Sequence, residues 1–350
     1  MLDRIRSEIA AHGPLPFDHF MTLALYDPDG GYFAASTTLR SSEEGDFLTS
    51  PEVSPLFGGT LARFVASEIE RVGPLTLIEA GAGSGSLLRA LLEELPEAPA
   101  AVFAVEVAAA ATDRLRGSVP AAAVVADLAQ VPRAGAAVII ANELIDNLPA
   151  AVAGRRGTGW TEQVVDVEDA GLVTREVPAR LEVAAWADAF AGPVAEGDLV
   201  EVQIAAGEWI ATALGRFDAG SVVVVDYGET ADGLSHRRAQ GTVRTYRSHH
   251  LGPDPLLTPG ETDITMDVNF TSLAAAAESA GATVTVERQD DFLTRWGLRD
   301  TLRGLREAEL DAARAGQTME RLTLRSQITG AEALLHPRGL GDFRVLVATV

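Results

Sequence analysis

Two short stretches carry the residues best suited to chemistry. The first, Leu77-Ile78-Glu79-Ala80-Gly81-Ala82-Gly83-Ser84-Gly85, sets an acid two residues before three glycines that alternate with other residues. Glycine admits positive φ and lets a ligand approach the backbone closely, and a helix starting there offers free N–H donors. A dinucleotide turn wants G-x-G-x-x-G, which requires a third glycine where Ser86 stands. The E-x-G-x-G-x-G spacing suits adenosylmethionine better, because that nucleoside has no pyrophosphate and carries an amino acid end. Glu79 can attract its ammonium, while N–H groups of the turn (Gly81, Gly83, Ser84, Gly85) line the carboxylate and sulfonium. A merely structural glycine turn is the competing reading.

Further acids sharpen the first reading. Glu106 ends the next apolar run, where a carboxylate can accept both ribose hydroxyls, and Asp127 ends the one after, in reach of an adenine amino group. The ribose carboxylate is shared with NAD sites, and Asp127 can equally be a solvated loop acid. Val107, Leu128 and Asn142 complete the expected cofactor contacts. The second stretch is Asn142-Glu143-Leu144-Ile145-Asp146-Asn147-Leu148-Pro149. Glu143 and Asp146 are three apart and share a side in a helical turn. Two carboxylates there can hold a cationic nucleophile such as guanidinium by charge-assisted hydrogen bonds. They are the candidate catalytic pair, against the alternative of a helix cap and an exposed acid. Asp226, Tyr227 and Tyr32 are candidates for the acceptor side, with a helix cap and loop packing as their alternatives.

These residues need a frame to hold them. From residue 75 apolar runs alternate with helical patterns: strands are expected at 75–80, 101–107, 122–126, 136–141 and 221–225, with helices at 84–95 and 108–116. A helix at 268–280 then precedes strands at 283–288 and 343–349. The fold class is therefore α/β, a Rossmann-like doubly wound sheet. The chain divides into N-terminal helices and a loop (1–72), the first half of the core (73–150) and an insertion with a hairpin and helices (151–218). The second half of the core (219–289), a further insertion (290–340) and the last strand (341–350) follow. The stretch 26–59 is a long irregular loop, and loops of that length are usually functional or disordered.

The 350 residues are 47% hydrophobic with a net charge of −22, enough for a sizeable core and unfavourable for nucleic acid or anionic lipid. The acidity can also simply aid solubility. Cysteine is absent, which removes disulfides, thiolate metal sites and a cysteine nucleophile. The six histidines show no metal spacing, so no metal is expected. All 28 basic residues are arginine, so a P-loop lysine cannot exist, and no G-x-S-x-G is present. Without an apolar leader or membrane span, a cytoplasmic protein is expected.

The chain also resembles a family. Gly45-Asp46-Phe47-Leu48-Thr49-Ser50-Pro51-Glu52, the Glu79–Gly85 turn and Asn142–Pro149 are similar to the MidA-type methyltransferases, which include a mitochondrial complex I assembly factor that methylates an arginine. Tyr26-Asp27-Pro28, Gly30-Gly31-Tyr32, Asp226-Tyr227-Gly228, Gly241-Thr242-Val243-Arg244-Thr245-Tyr246 and Asp263-Ile264-Thr265-Met266-Asp267-Val268-Asn269-Phe270 extend the likeness. The resemblance implies a class I methyltransferase with strand order 3-2-1-4-5-7-6 and an antiparallel last strand. It implies that the 45–52 loop, through Gly45, Asp46, Phe47, Ser50 and Pro51, folds over S-adenosyl-L-methionine, and that 142–149 borders the acceptor pocket. Leu144-Ile145 stand where the family often has two aromatics, and Arg247-Ser248-His249-His250 also departs from its pattern. The implied activity is N-methylation of arginine in a protein or peptide acceptor. A small-molecule or O-methyltransferase and a cofactor-binding assembly protein are the alternatives, and a homodimer is left open.

Overall fold

The computed structural model describes residues 1–33, 49–169, 171–236, 239–247 and 250–350. Seven strands form the central sheet: β1 (Thr76–Ala80), β2 (Ala101–Val105), β3 (Ala123–Val125), β4 (Ala134–Asn142), β5 (Phe217–Asp226), β6 (Thr283–Arg288) and β7 (Arg344–Thr349). Their order is β6-β7-β5-β4-β1-β2-β3, as expected. Neighbours from β5 to β3 pair parallel, and β7 runs antiparallel to both β5 and β6.

The Val/Ile runs of β4 and β5 form strands because both faces of the sheet are covered. Val138, Ile140, Val223 and Val225 point into one core with helices Leu56–Val72 and Ser86–Glu94. Ile139, Ala141, Val222 and Val224 point into the other with helices Ile204–Leu214 and Phe270–Ser279. Each of these valines and isoleucines contributes about 1.5–3 kcal/mol by leaving water, which offsets the cost of the acids buried at the strand ends.

Segment 151–218 supplies strands Ala151–Arg156, Gly159–Glu168, Gly171–Pro178 and Leu199–Val202 to a second, antiparallel sheet, joined by Leu15–Pro16. The stretch 290–340 forms helices Leu298–Arg314 and Thr318–Leu334, packed on each other. The second of these lies against the turn Ser50–Val53, where a Cβ on Gly330 would come 2.8 Å from Ser54 Cβ. Among the described residues, no helix is long and apolar enough to cross a membrane.

Candidate functional site

One cavity of about 540 Å³ opens at the carboxyl ends of the parallel strands, where open α/β sheets bind ligands. Gly81, Gly83 and Gly85 all have positive φ (71°, 51° and 77°), so the turn after β1 has the left-handed backbone its glycines permit. The Gly81 and Ala82 N–H groups donate to Val105 O at 2.9 and 3.1 Å, which ties the turn to the end of β2. Gly81, Gly83 and Ser84 line the cavity. Gly85 does not line it: its α-carbon backs onto the helix Ala109–Ser118, where a Cβ would sit 2.6 Å from Leu115 Cδ1. It is a packing glycine.

Glu79 and Glu106 both line the cavity. Glu79 is 5% exposed, and its Oε2 has no hydrogen-bond partner among the described residues. Burial pushes this acid well above the usual carboxylate range, and the nearby Glu106 charge pushes the same way. A buried acid at a cavity wall with one oxygen unpartnered fits an ammonium, so the residues present suit the amino acid end of S-adenosyl-L-methionine. Glu106 accepts the Gly83 N–H at 2.8 Å and the Ala108 N–H at 2.7 Å. The Val107 N–H also bonds to this carboxylate, which still has capacity left for a ribose hydroxyl. Burial raises its pKa while those N–H donors oppose the shift. Val107 lines the cavity beside it.

Asp127 and Leu128 lie outside the cavity lining. The Asp127 carboxylate accepts the Ala129 N–H at 2.7 Å and caps a short 3₁₀ turn, Leu128–Gln130. Gly45, Asp46, Phe47 and His249 lie outside the described residues. Thr49, Pro51 and Glu52 line the cavity. Ser50 is fully buried and reaches the site by donating its N–H to Glu143 Oε1 at 3.1 Å.

Glu143 and Asp146 both line the cavity, though not through helical spacing. Glu143 takes a left-handed φ of 51°, a conformation that costs a non-glycine residue about 1–3 kcal/mol. Its N–H is fastened to Val225 O at 2.8 Å, and a 3₁₀ turn, Ile145–Asn147, follows. Asn142, also in the lining, donates to Glu143 Oε1 at 3.1 Å. Burial drives the Glu143 carboxyl to about 8. Asp146 accepts the Tyr227 hydroxyl on Oδ2, and its Oδ1 is buried without a partner among the described residues. Burial raises Asp146 to about 6, opposed by that hydroxyl and by the Arg244 charge.

The remaining candidates divide. Tyr227 lines the cavity. Asp226 is wholly buried beneath it and accepts the Ile145 and Asp146 N–H groups at 2.9 and 3.2 Å, so it holds the turn and does not face an acceptor. Tyr32 is 1% exposed and packs edge-on against Phe33 at 5.0 Å between ring centres. It is Phe33 and Tyr26 that line the cavity, with Tyr26 donating its hydroxyl to Asn147 O at 3.1 Å. Arg244 and Asp267, also in the lining, were quoted above only within matched motifs, with no chemistry attached. Those motifs were the signal that could have found them.

A seven-stranded sheet of this order, with an acid–glycine turn after its first strand and a carboxylate after its second, defines a nucleoside-dependent transferase of the class I methyltransferase type. The chain belongs to the family of S-adenosyl-L-methionine-dependent methyltransferases, which it matches over residues 60–287, and MidA-type membership is thereby upheld. It is 28% identical to the human mitochondrial protein arginine methyltransferase NDUFAF7 across 98% of this chain and 81% of that protein. The corresponding Drosophila melanogaster homolog is 26% identical, across 79% of this chain and 70% of its own length. A superfamily member from Burkholderia thailandensis, solved with S-adenosyl-homocysteine bound, superposes with a TM-score of 0.84 at 28% identity, over all of this chain and 91% of that one. The protein is an S-adenosyl-L-methionine-dependent methyltransferase.

One expectation is withdrawn. The cytoplasmic placement rested on the lack of an apolar leader, yet the curated relatives are named as mitochondrial. The lack of an apolar stretch near residue 1 does not locate the protein.

Proposed function

We propose that the enzyme methylates a guanidinium nitrogen of an arginine in a protein acceptor, with Glu143 and Asp146 as the clamp. The observation that carries this reading is that Asp146, whose Oδ1 is a buried acceptor without a partner among the described residues, lines the same cavity as Glu79 and Glu106. A cationic, donor-rich side chain is the group that such an oxygen and the neighbouring Glu143 recognise. The relatives named as protein arginine methyltransferases support the same acceptor. A small-molecule acceptor would suit an apolar pocket better than one walled by carboxylates.

When bound, S-adenosyl-L-methionine supplies a methyl group on a positively charged sulfur. Glu79 and Glu106 would hold its amino acid and ribose ends, beside the turn N–H groups of Gly81, Gly83 and Ser84. Glu143 and Asp146 orient the guanidinium so that one nitrogen points at the methyl, and alignment is the main contribution a protein makes to such a displacement. Asp146 Oδ1 receives the proton that this nitrogen gives up.

Tritiated-methyl labelling of a lysate from cells lacking the protein, followed by identification of the labelled species, tests the acceptor. Purified Asp146→Asn should bind S-adenosyl-homocysteine normally and label nothing. Persistent labelling by this variant removes Asp146 from the clamp.

A further inference from the structure

We propose that Arg244 is a positioning residue for methyl transfer, keeping the Asp146 carboxylate ionised and aimed into the cavity through Tyr227. The proposal rests on the reading of Asp146 as the acceptor's partner.

Arg244 reaches the site from the strand Arg244–Arg247, paired with Asp263–Thr265. Its guanidinium donates to Asp267 Oδ1 and lies over the Tyr227 ring, with Cζ 5.4 Å from the ring centre. That ring's hydroxyl is the group that occupies Asp146 Oδ2. The Arg244 side chain thus packs on the face of the tyrosine, the tyrosine hydroxyl occupies one oxygen of the carboxylate, and the other oxygen has no partner among the described residues. Arg244 Nε is itself buried without a partner among the described residues.

The fold holds this arginine in place by buried hydrogen bonds. Glu201, from the second sheet and 4% exposed, accepts the N–H groups of Thr242 and Val243, the latter at 3.3 Å. The Thr242 hydroxyl accepts the Asp267 N–H at 3.1 Å, so the arginine and its ion-pair partner are held by one framework.

Charge gives the arrangement its purpose. The Asp146 charge acts on Glu143 of its own turn, on Asp226 and Tyr227 at the end of β5 and on Tyr26, and Glu106, Asp263, Asp267, Tyr246 and Arg338 line the same cavity. Set against these acids is the Arg244 guanidinium. Burial raises the Asp146 carboxyl to about 6, and the Tyr227 hydroxyl and then the Arg244 charge oppose that rise.

The test is a carbon-13 NMR titration of aspartate-labelled full-length protein, with the Asp146 carboxyl signal assigned by its loss in Asp146→Asn. Arg244→Gln should raise the Asp146 midpoint by at least one pH unit, a tenfold weaker acid. Arg244→Lys, which keeps the charge, should restore most of the shift. Asp267→Asn should lower the midpoint, because it removes a neighbouring negative charge and leaves the arginine's charge unpaired. A merely structural role of Arg244 predicts an unmoved midpoint in Arg244→Gln. A wild-type midpoint in Arg244→Gln overturns the proposal. Should that variant not fold, an unchanged or raised midpoint in Asp267→Asn overturns it equally. No acceptor enters this measurement, so it can succeed even if Asp146→Asn still turns over. That combined outcome would remove the clamp reading and leave Arg244's control of Asp146 standing.

Discussion

Asp226 and Asp146 are joined through the backbone, the carboxylate of the first holding the N–H of the second. The Asp226 carboxylate is wholly buried at the end of β5 and accepts the Asp146 N–H at 3.2 Å and the Ile145 N–H at 2.9 Å, while Asp146 lines the cavity. Asp226 also takes the Tyr227 N–H at 3.0 Å. The acid at the end of β5 therefore shapes the site without touching what binds there.

Removing it should show as lost folding free energy together with lost turnover. Asp226→Ala leaves three buried N–H groups without their acceptor, and each orphaned donor costs about 1–3 kcal/mol. Asp226→Asn keeps an acceptor oxygen and should cost clearly less. Denaturant melts of the two variants check the order, and equal losses would reject the account of Asp226 as a hydrogen-bond anchor.

Glu106 makes the corresponding link at the cofactor end. Glu106→Ala should weaken S-adenosyl-homocysteine binding at least tenfold, about 1.4 kcal/mol, because it removes both the sugar's acceptor and the bond that steadies the Gly83 N–H. Calorimetry that returns the wild-type affinity would take Glu106 out of the site.

The central sheet was legible because its signal is local. Valine and isoleucine runs at 138–140 and 222–225, set between helical patterns, read as strands covered on both sides, and the acids at the ends of β1 and β2 mark the binding edge. The side on which each residue falls was not legible. Glu79-to-Gly85 spacing does not reveal that Gly81 faces the cavity and Gly85 a helix, since that depends on how Leu115 packs. Glu143 and Asp146 meet through a left-handed residue that three-residue spacing does not announce. Arg244 sits in a polar segment without periodicity, and its position follows from pairing with Thr265. Those are tertiary facts.

The two glycines should separate in experiment. In Gly85→Ala the new Cβ meets Leu115 Cδ1 at 2.6 Å and Val119 Cγ2 at 2.9 Å, at a φ of 77°. Overpacking and left-handed strain together cost about 2–4 kcal/mol. In Gly81→Ala the nearest atom is Leu144 Cδ1 at 3.1 Å, the end of a flexible side chain at the cavity wall. This variant should keep more stability than Gly85→Ala but lose cofactor affinity. Melting temperatures and S-adenosyl-homocysteine titrations of both variants check the split, which fails if Gly85→Ala melts with the wild type.

The buried acids also fix how stability depends on pH in the ligand-free protein. Glu143 has an ordinary pKa of 4.5 in the unfolded chain and about 8 in the folded one, so between those values the native state holds a proton that the unfolded state has released. Its contribution is fully present below about 4.5 and is lost as pH rises through about 8. Asp146, raised from 3.8 to about 6, acts in the same direction over a lower window. Thermal melts should therefore show the ligand-free protein weakening from pH 6 to pH 9. Glu143→Gln, which cannot ionise and keeps an oxygen for the Ser50 N–H, should melt above wild type at pH 9 and show a flatter profile. An acceptor cation would reverse this balance, because it binds the ionised pair, so the site's instability at high pH is the free energy its substrate recovers. Identical pH profiles for wild type and Glu143→Gln would mean that Glu143 is already ionised in the fold, and that the cavity is better solvated than its burial indicates.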